Sequence, residues 1–292
     1  MMRGVDDAAV ARAAYHVYEP VHAVVYFDPA VPEAFAAAGA TGFWRSYFAA
    51  RCAPLGEVGP GQVAALFHGF ALPMVERALP DVWSRISPAD ALRTRLDVCS
   101  AVLHRLFVDA DVVVVREAAA LLTDAAMAAP TQGRPLGAAN AGLLSGAVLT
   151  EDPCAALWQA ATTLRELRGD GHVHALTAAC IDGVEAHVLR DALHGSRAHT
   201  QPHRGWTDEQ WDAGVDRLRS RGLVDDHGRA TGEGRAFRAT IEADTDRLAA
   251  GPWRALGEDR TRRVIDLLAP LARTALTVLP AANPIGELRP PR

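Results

Sequence analysis

The sequence contains no lysine, and all 30 of its basic residues are arginine. GC-rich codon usage explains this bias better than selection for the paired hydrogen bonds that arginine makes to phosphate. Because 35 residues are acidic, the formal net charge is −5, and the molecule as a whole repels a polyanion such as DNA. A nucleic-acid-binding function therefore requires a local basic patch.

Cysteine is scarce and widely spaced. Cys52, Cys99, Cys154 and Cys180 form no C-x-x-C pair. This spacing fits buried thiols in a reducing compartment better than a disulfide framework or a zinc knuckle.

Long apolar runs are missing as well. No stretch approaches the ~18 apolar residues of a membrane-spanning helix, and residues 1–10 lack the apolar core of an export signal. We therefore expect a cytoplasmic protein without a membrane partner. Long alternating apolar stretches are also absent, while alanine, leucine and arginine are abundant, so the sequence predicts a mainly α fold.

Motifs for covalent catalysis and nucleotide binding are absent. Ser145 lacks the sequence context of a hydrolase nucleophile, and no glycine-rich loop follows a predicted strand. The sequence therefore predicts no catalytic residues and favours a binding protein over an enzyme. It identifies no cofactor.

A recognisable pattern of elements occupies residues 205–238. A capping box at Thr207 and Gln210 begins an amphipathic helix, whose apolar residues recur at helical spacing. Residues 223–224 and 229–230 then predict a two-stranded β wing, and a further helix follows. This order of elements is typical of a winged helix.

The same stretch resembles the recognition helix and wing of MarR-type regulators. Residues 216–224 have their pattern D-R-L-x-x-R-G-L-V, and residues 229–236 have a T-x-x-G-R pattern. Residues 18–23 and 164–172 look like further signatures of a MarR-like (winged) helix-turn-helix family of high-GC bacteria. The resemblance implies a transcriptional regulator that binds double-stranded DNA. It also implies a ligand cavity between the winged helices and the helices that join the two halves.

The second half of the sequence repeats features of the first. Residues 21–23 match residues 173–175, and residues 83–90 match residues 253–259. We therefore predict an internal duplication, with tandem winged-helix-like domains of which the first has lost its wing. One chain then mimics a two-fold dimer, as a pseudo-dimeric monomer or within a homodimer. The predicted domains are residues 1–130 (wingless copy), 131–153 (linker), 154–280 (MarR-like winged helix) and 281–292 (flexible tail).

The predicted recognition helix suits DNA poorly. Its first turns carry Asp208, Glu209 and Asp212, where a protein that recognises bases presents arginine, asparagine or glutamine. Seven arginines and seven acidic residues balance one another over residues 204–238, which removes most of the gain from counterion release. The DNA-binding candidates are six arginines: Arg217, Arg219, Arg221, Arg229, Arg235 and Arg238.

Two polar runs are candidates for a ligand site. Residues 165–174 place a glycine on each side of Asp170, and residues 15–26 align tyrosines with a histidine on one helix face. If the duplication holds, the two runs face a shared cavity for a small apolar or aromatic molecule. The predicted ligand-binding residues are Tyr18, Glu19, His22, Tyr26, Arg168, Asp170, His172 and His174.

His172 and His174 form an H-x-H pair. Such a pair chelates a metal on a strand, but on a helix the rings point about 200° apart. Because the surrounding residues predict a helix, interrupted at Gly169 and Gly171, the pattern favours a structural role over chelation. With His22, these two histidines are the only metal candidates.

Two functions stay open. One is a ligand-responsive MarR-like regulator. The other is a winged-helix scaffold without DNA binding, which binds a metabolite, metal or haem or performs acid–base chemistry in secondary metabolism, with His22 and His172 as the titrating groups. A protein-interaction module that uses the wing is a third class.

Overall fold

The computed structural model describes residues 7–145, 149, 151–280, 283 and 288–291, and these residues fold almost entirely as helix. Short 3-10 helices span Ala53–Leu55, Asp81–Ser84 and Leu276–Val278. The α-helices are α1 (Asp7–Phe27), α2 (Ala30–Ala37), α3 (Phe43–Cys52), α4 (Pro60–Phe67), α5 (Leu72–Glu76), α6 (Pro88–Leu106), α7 (Val112–Met127), α8 (Pro135–Ala141), α9 (Pro153–Ala178), α10 (Gly183–His194), α11 (Arg197–Arg204), α12 (Asp208–Ser220), α13 (Gly232–Leu248), α14 (Gly251–Leu256) and α15 (Glu258–Ala275).

Helix α9 is the central element of the fold. Its first turn is capped by Asp152, which accepts hydrogen bonds from the backbone amides of Cys154 and Ala155. The helix packs against α1, α6, α7, α8 and α13, so it is buried on several sides. Within the described residues, no helix is both long and apolar enough to cross a membrane.

The predicted interruption of α9 at Gly169 and Gly171 is wrong, because the helix is continuous from Pro153 to Ala178. Gly171 serves close packing instead. A Cβ atom at this position would lie only 2.3 Å from Nη1 of Arg134. Burial of the neighbouring side chains offsets the cost of about 1 kcal/mol that a glycine imposes inside a helix.

Buried hydrophobic residues form two clusters. The larger cluster unites residues between positions 11 and 164 with residues between positions 249 and 275, and therefore joins both ends of the chain. The smaller cluster contains residues between positions 175 and 241. Because α9 contributes to both, it connects them.

The predicted fold class is mainly α, which is confirmed, but the tandem winged helices with a two-stranded wing are wrong. The described residues form no strand, only a single antiparallel bridge between Val224 and Ala230. The backbone amide of Ala230 donates to the carbonyl group of Ala192 on α10, and Thr231 already caps α13. The hairpin therefore ends after one residue pair, too soon for strands to form.

The predicted domain division and the internal duplication stay predictions. Helix α8 lies inside the segment predicted as a linker, and α15 packs against α1 and α7. Leu288 is buried, and Arg289 donates a backbone hydrogen bond to His16. Some predictions fall on residues outside those described: residues 1–6 of the segment without an export signal, 146–148 and 150 of the linker, and 281–282, 284–287 and 292 of the tail.

Candidate functional site

Helices α11 and α12 are joined by a turn of three residues, Gly205 to Thr207. Gly205 has φ +76°, a left-handed conformation that glycine adopts without strain. The predicted capping box is present: the amide of Gln210 donates to the Thr207 hydroxyl, and the Gln210 side chain accepts from the Thr207 amide. Two helices joined by a turn of this length, with a glycine in it, have the order and spacing of a helix-turn-helix arrangement.

The six arginines predicted to bind DNA each have an intramolecular partner. Four pair with carboxylates and two donate to backbone carbonyl groups, so a phosphate would have to compete with these partners. The ion pairs are Arg217 with Asp182 and Glu185, Arg219 with Asp216, Arg229 with Asp225 and Arg238 with Glu242. The backbone contacts are Arg221 with Ala179 and Cys180, and Arg235 with Ala230.

The first turns of α12 present acidic side chains to solvent. Asp208 and Asp212 are exposed and both bind Arg197, at 2.9 and 3.0 Å. Glu209 is exposed beside them. These turns would face the major groove in a helix-turn-helix complex, so their charge opposes a DNA backbone.

A cleft of about 230 Å³ lies where the two hydrophobic clusters meet. Residues of α3, α9, α10 and the loop 67–71, which begins with the last residue of α4, form its walls, together with single side chains from α4, α8, α11 and α13. Apolar and cationic side chains line it together, and among the described residues Glu166 is its one acidic side chain. The cationic residues are Arg51, Arg165, Arg190, Arg204 and Arg238, and three histidines also line the cleft: His68, His172 and His187.

Glu166 is shared by two of these arginines. Arg51 forms a bidentate pair with it, at 2.9 and 3.1 Å, and Arg165 donates to it at 2.8 Å. Burial alone would raise the pKa of Glu166, but the charges of Arg165 and Arg51 lower it to about 2. Arg165 also lies 4.0 Å from Glu19, a carboxyl group whose pKa burial raises to about 7. One fully ionised carboxylate therefore serves two guanidinium groups.

Arg204 differs from Arg51 and Arg165 in its contacts. Its guanidinium carbon is 4.4 Å from the centre of the Phe70 ring, and no carboxylate among the described residues pairs with it. Burial lowers the pKa of Arg204, and the charges of Arg51 and Arg190 lower it further. The cleft therefore holds several guanidinium groups that repel one another.

The loop 67–71 ties the cleft to the helix-turn-helix arrangement. Gly69 accepts hydrogen bonds at its carbonyl oxygen from the side chains of His187 and Trp206, both at 2.9 Å. The amide of Ala71 donates to the carbonyl group of Arg204 at 2.9 Å. His68, at φ +50°, lies against α10. The loop is therefore bonded directly to α11, and both contribute residues to the cleft.

A second, much smaller cavity of about 10 Å³ lies behind the Arg51–Glu166 pair, and both residues of that pair line it too. His22 bonds there to the hydroxyl groups of Thr162 and Tyr26, at 2.9 and 3.0 Å. Burial lowers the pKa of His22 well below its usual value, so the ring is neutral. The space is about that of one water molecule.

The predicted ligand-binding residues are therefore not brought into one site. His172 lines the cleft, whereas His22 and Tyr26 line the small cavity. His174 is exposed. Arg168 and Asp170 do not pair with each other. Instead, Arg168 binds Asp246 at 2.6 Å, and Asp170 accepts a bond from the Gly137 amide. Tyr18 and Glu19 are buried in the core. A ligand role for these residues stays a prediction.

Metal binding by His172 and His174 is not favoured by their place on α9, since rings two residues apart on a helix diverge. Among the described residues, His104, Asp152 and Cys154 form the one group of three donors close enough to hold an ion. Burial raises the pKa of the Cys154 thiol to about 12, which disfavours the thiolate that binds metals.

Sequence reasoning missed most of the cleft. Arg51, Arg190 and Arg204 belong to no motif, and in the sequence they are three among 30 arginines. Arg165 and Glu166 belong to the polar run 165–174, but the predicted ligand-binding residues begin only at Arg168. Arg238, one of the arginines predicted to contact DNA, also lines the cleft.

A family model described as "Helix-turn-helix family" matches residues 11–280. No curated protein and no solved structure matches the chain. The matched range includes both hydrophobic clusters, the cleft and the turn between α11 and α12.

Proposed function

The chain belongs to a helix-turn-helix family, and we propose that it is a transcriptional regulator whose DNA binding responds to a small molecule held in the cleft. The observation that carries this proposal is the position of the cleft between the two hydrophobic clusters. Helices α10 and α11 contribute part of its wall. A bound molecule touches both clusters, and its affinity depends on how they are placed relative to each other.

The lining of the cleft supports a ligand. Leu136, Val173, Leu176 and Leu189 offer an apolar surface, and the arginines offer a few converging polar groups. This combination is typical of small-molecule sites. The proposal includes kinship with MarR-type regulators of high-GC bacteria, based on residues 216–236. It also includes a chain that acts as a pseudo-dimeric monomer or within a homodimer.

The loop 67–71 provides a route from ligand to DNA. It borders the cleft and is bonded to His187 of α10 and to Trp206 in the turn before α12. A ligand that pushes on this loop therefore changes the position of the turn that precedes the recognition helix. Coupling of this kind needs only a difference in ligand affinity between two arrangements.

The proposal is tested by selecting binding sites from a random pool of duplex DNA. Fluorescence anisotropy on a selected site, at about 50 mM salt where backbone contacts are strongest, then measures the affinity. We expect sequence-selective binding that changes when a molecule occupies the cleft. No sequence selectivity at this salt concentration would overturn the proposal.

The partners of the six arginines favour a second candidate, a helix-turn-helix scaffold that binds a small molecule but no DNA. Every predicted DNA-binding arginine is held by another group of the protein, and the first turns of α12 are acidic. Ligand binding without any DNA binding would support this candidate. Acid–base chemistry by His22 and His172 lacks support, because burial lowers the pKa of His172 to about 4 and lowers the pKa of His22 well below its usual value.

A further inference from the structure

We propose that the cleft binds a small organic dianion, such as a phosphomonoester, with its charged group among Arg51, Arg165, Arg190 and Arg204. The proposal deepens the proposed function, because it takes the cleft to be the ligand site and names the chemical class of the ligand. It stands on the number, position and pairing of the charged side chains that line the cleft.

The pairing of these side chains leaves positive charge uncompensated. Within the part of the chain that the structure describes, Glu166 is the only carboxylate in the lining, and Arg51 and Arg165 share it. Arg204 contacts an aromatic face and no described carboxylate. Partly buried guanidinium groups that crowd together are costly unless an anion compensates their charge.

The pair of Arg238 with Glu242 does not remove this excess. Glu242 also binds Arg12 at 2.7 Å and lies 3.6 Å from Arg168. Its single negative charge is therefore divided among three arginines. The nearby Asp246 serves two of the same three. No spare carboxylate from this group reaches the cleft.

The excess exceeds one charge, which favours a dianion over a monoanion. Arg51, Arg165 and Arg204 face one fully ionised carboxylate, and Glu19, 4.0 Å from Arg165, is only partly ionised at neutral pH. A single negative charge would therefore leave the arginines still repelling one another. A phosphate group also presents several oxygens in the geometry that planar guanidinium groups bind in pairs. Phosphomonoesters have both properties above their second pKa of about 6.

The rest of the cleft restricts the remainder of the ligand. Leu136, Val173 and Leu176 lie beside the cationic wall, so an apolar group attached to the phosphate would be removed from water. The volume of about 230 Å³ is smaller than the roughly 300 Å³ at which typical ligand pockets begin. We therefore infer a compact apolar group, about the size of one aromatic ring.

The first test compares four probes on the intact protein by isothermal titration calorimetry at pH 7, without DNA. Phenyl phosphate is the dianion, benzenesulfonate is a monoanion of the same shape, benzyl alcohol is neutral, and inorganic phosphate lacks the ring. We expect phenyl phosphate to bind at least about tenfold more tightly than benzenesulfonate and benzyl alcohol, since charged hydrogen bonds are worth more than neutral ones. It should also bind more tightly than inorganic phosphate, because the cleft removes its ring from water. Equal affinity for phenyl phosphate and benzenesulfonate, or no binding of phenyl phosphate, would overturn the proposal.

The second test changes the arginine that lacks a carboxylate partner. Arg204→Gln should weaken phenyl phosphate binding at least about tenfold, while Arg262→Gln, an equal loss of charge on the exposed side of α15, should leave it unchanged. Arg204→Lys keeps the charge but loses the planar fork, and should fall between the two. If circular dichroism shows that Arg204→Gln is unfolded, Arg204→Lys and the probe series decide. Wild-type affinity in a folded Arg204→Gln protein would overturn the proposal.

The two proposals fail separately. Binding of phenyl phosphate with no effect on any DNA complex supports the dianion site and overturns the proposed regulation. Sequence-selective DNA binding by a protein that binds none of the anionic probes supports a DNA-binding regulator and overturns the dianion site.

Discussion

At the scale of single residues, the molecule is organised around charged groups with little access to water. Glu166 and Glu19 are 2% and 1% exposed, but they differ in their partners. Glu166 has two close arginines, whereas Oε2 of Glu19 has no hydrogen-bond partner. In the sequence both are acidic residues on helical segments, and nothing local separates them. The closer contact of Arg165 with Glu166, together with Arg51 from another helix, makes one carboxylate ionised and the other easy to protonate.

The buried carboxyl group of Glu19 predicts a pH-dependent stability. Burial raises its pKa to about 7, so its contribution to stability is fully present below its unfolded pKa and is lost as the pH rises through 7. Glu19→Gln, which stays neutral, should be more stable than the wild type at pH 8 by about 2 kcal/mol, with the difference shrinking towards pH 5. Urea denaturation across this range measures it.

The exposed Glu33 on α2 offers the matched control for this prediction. Glu33→Gln should change stability little, because its side chain is in water. A Glu19→Gln protein that is less stable than the wild type at pH 8 would show that the charged form of Glu19 is needed by Arg165.

At the scale of elements, helix ends were more predictable than what lies between them. The capping box at Thr207 and Gln210 is local, and the structure has it as expected. The glycines of α9 were misinterpreted because a glycine can mark a break or a close contact, and only the neighbouring chain decides which. The prediction of a β wing was wrong for a similar reason, since the backbone amide of Ala230 bonds to α10 rather than to a second strand.

The two glycines of α9 predict opposite effects of the same substitution. A Cβ atom at Gly169 meets Arg165 and Glu166 at ordinary distances of 3.6 and 3.7 Å, so Gly169→Ala should stabilise the protein by about 0.5–1 kcal/mol. A Cβ atom at Gly171 would displace Arg134, which donates to two backbone carbonyl groups. Gly171→Ala should therefore destabilise by roughly 1 kcal/mol.

Urea unfolding of the two variants measures both effects, and each variant is the control for the other because the gain in helix propensity is equal. If Gly171→Ala proves as stable as Gly169→Ala, Arg134 is free to move and its hydrogen bonds contribute little to the packing of α9.

At the scale of the whole molecule, a close backbone contact joins α10 to the loop beside the larger cluster and the cleft. A Cβ atom at Gly183 would lie 2.1 Å from the carbonyl oxygen of His68, so backbone approaches backbone where α10 begins. Because neither side has a flexible side chain that can move away, this contact fixes the distance between α10 and the loop 67–71.

Breaking this contact should separate ligand binding from DNA binding. Gly183→Ala must push the loop 67–71 away from α10, and we expect a loss of about 2 kcal/mol in stability. If the regulatory proposal is right, DNA affinity is retained while its response to a cleft-bound molecule is lost. Chemical denaturation and fluorescence anisotropy measure the two effects.

Gly232→Ala is the matched control, because a Cβ atom there meets nothing within 4 Å, and it should change neither quantity. A Gly183→Ala protein whose DNA complex still responds fully to the ligand would show that the coupling takes another route.

The sequence alone determined the mainly helical fold and the capping box of α12. These features depend on backbone propensities and on residues only a few positions apart, which a pattern can reveal. The cleft was decided by the tertiary structure, because Arg51, Glu166 and Arg204 are separated by many helices along the chain. These residues come together only because the helices pack around α9. Ion pairs between distant residues leave no repeating pattern in a sequence.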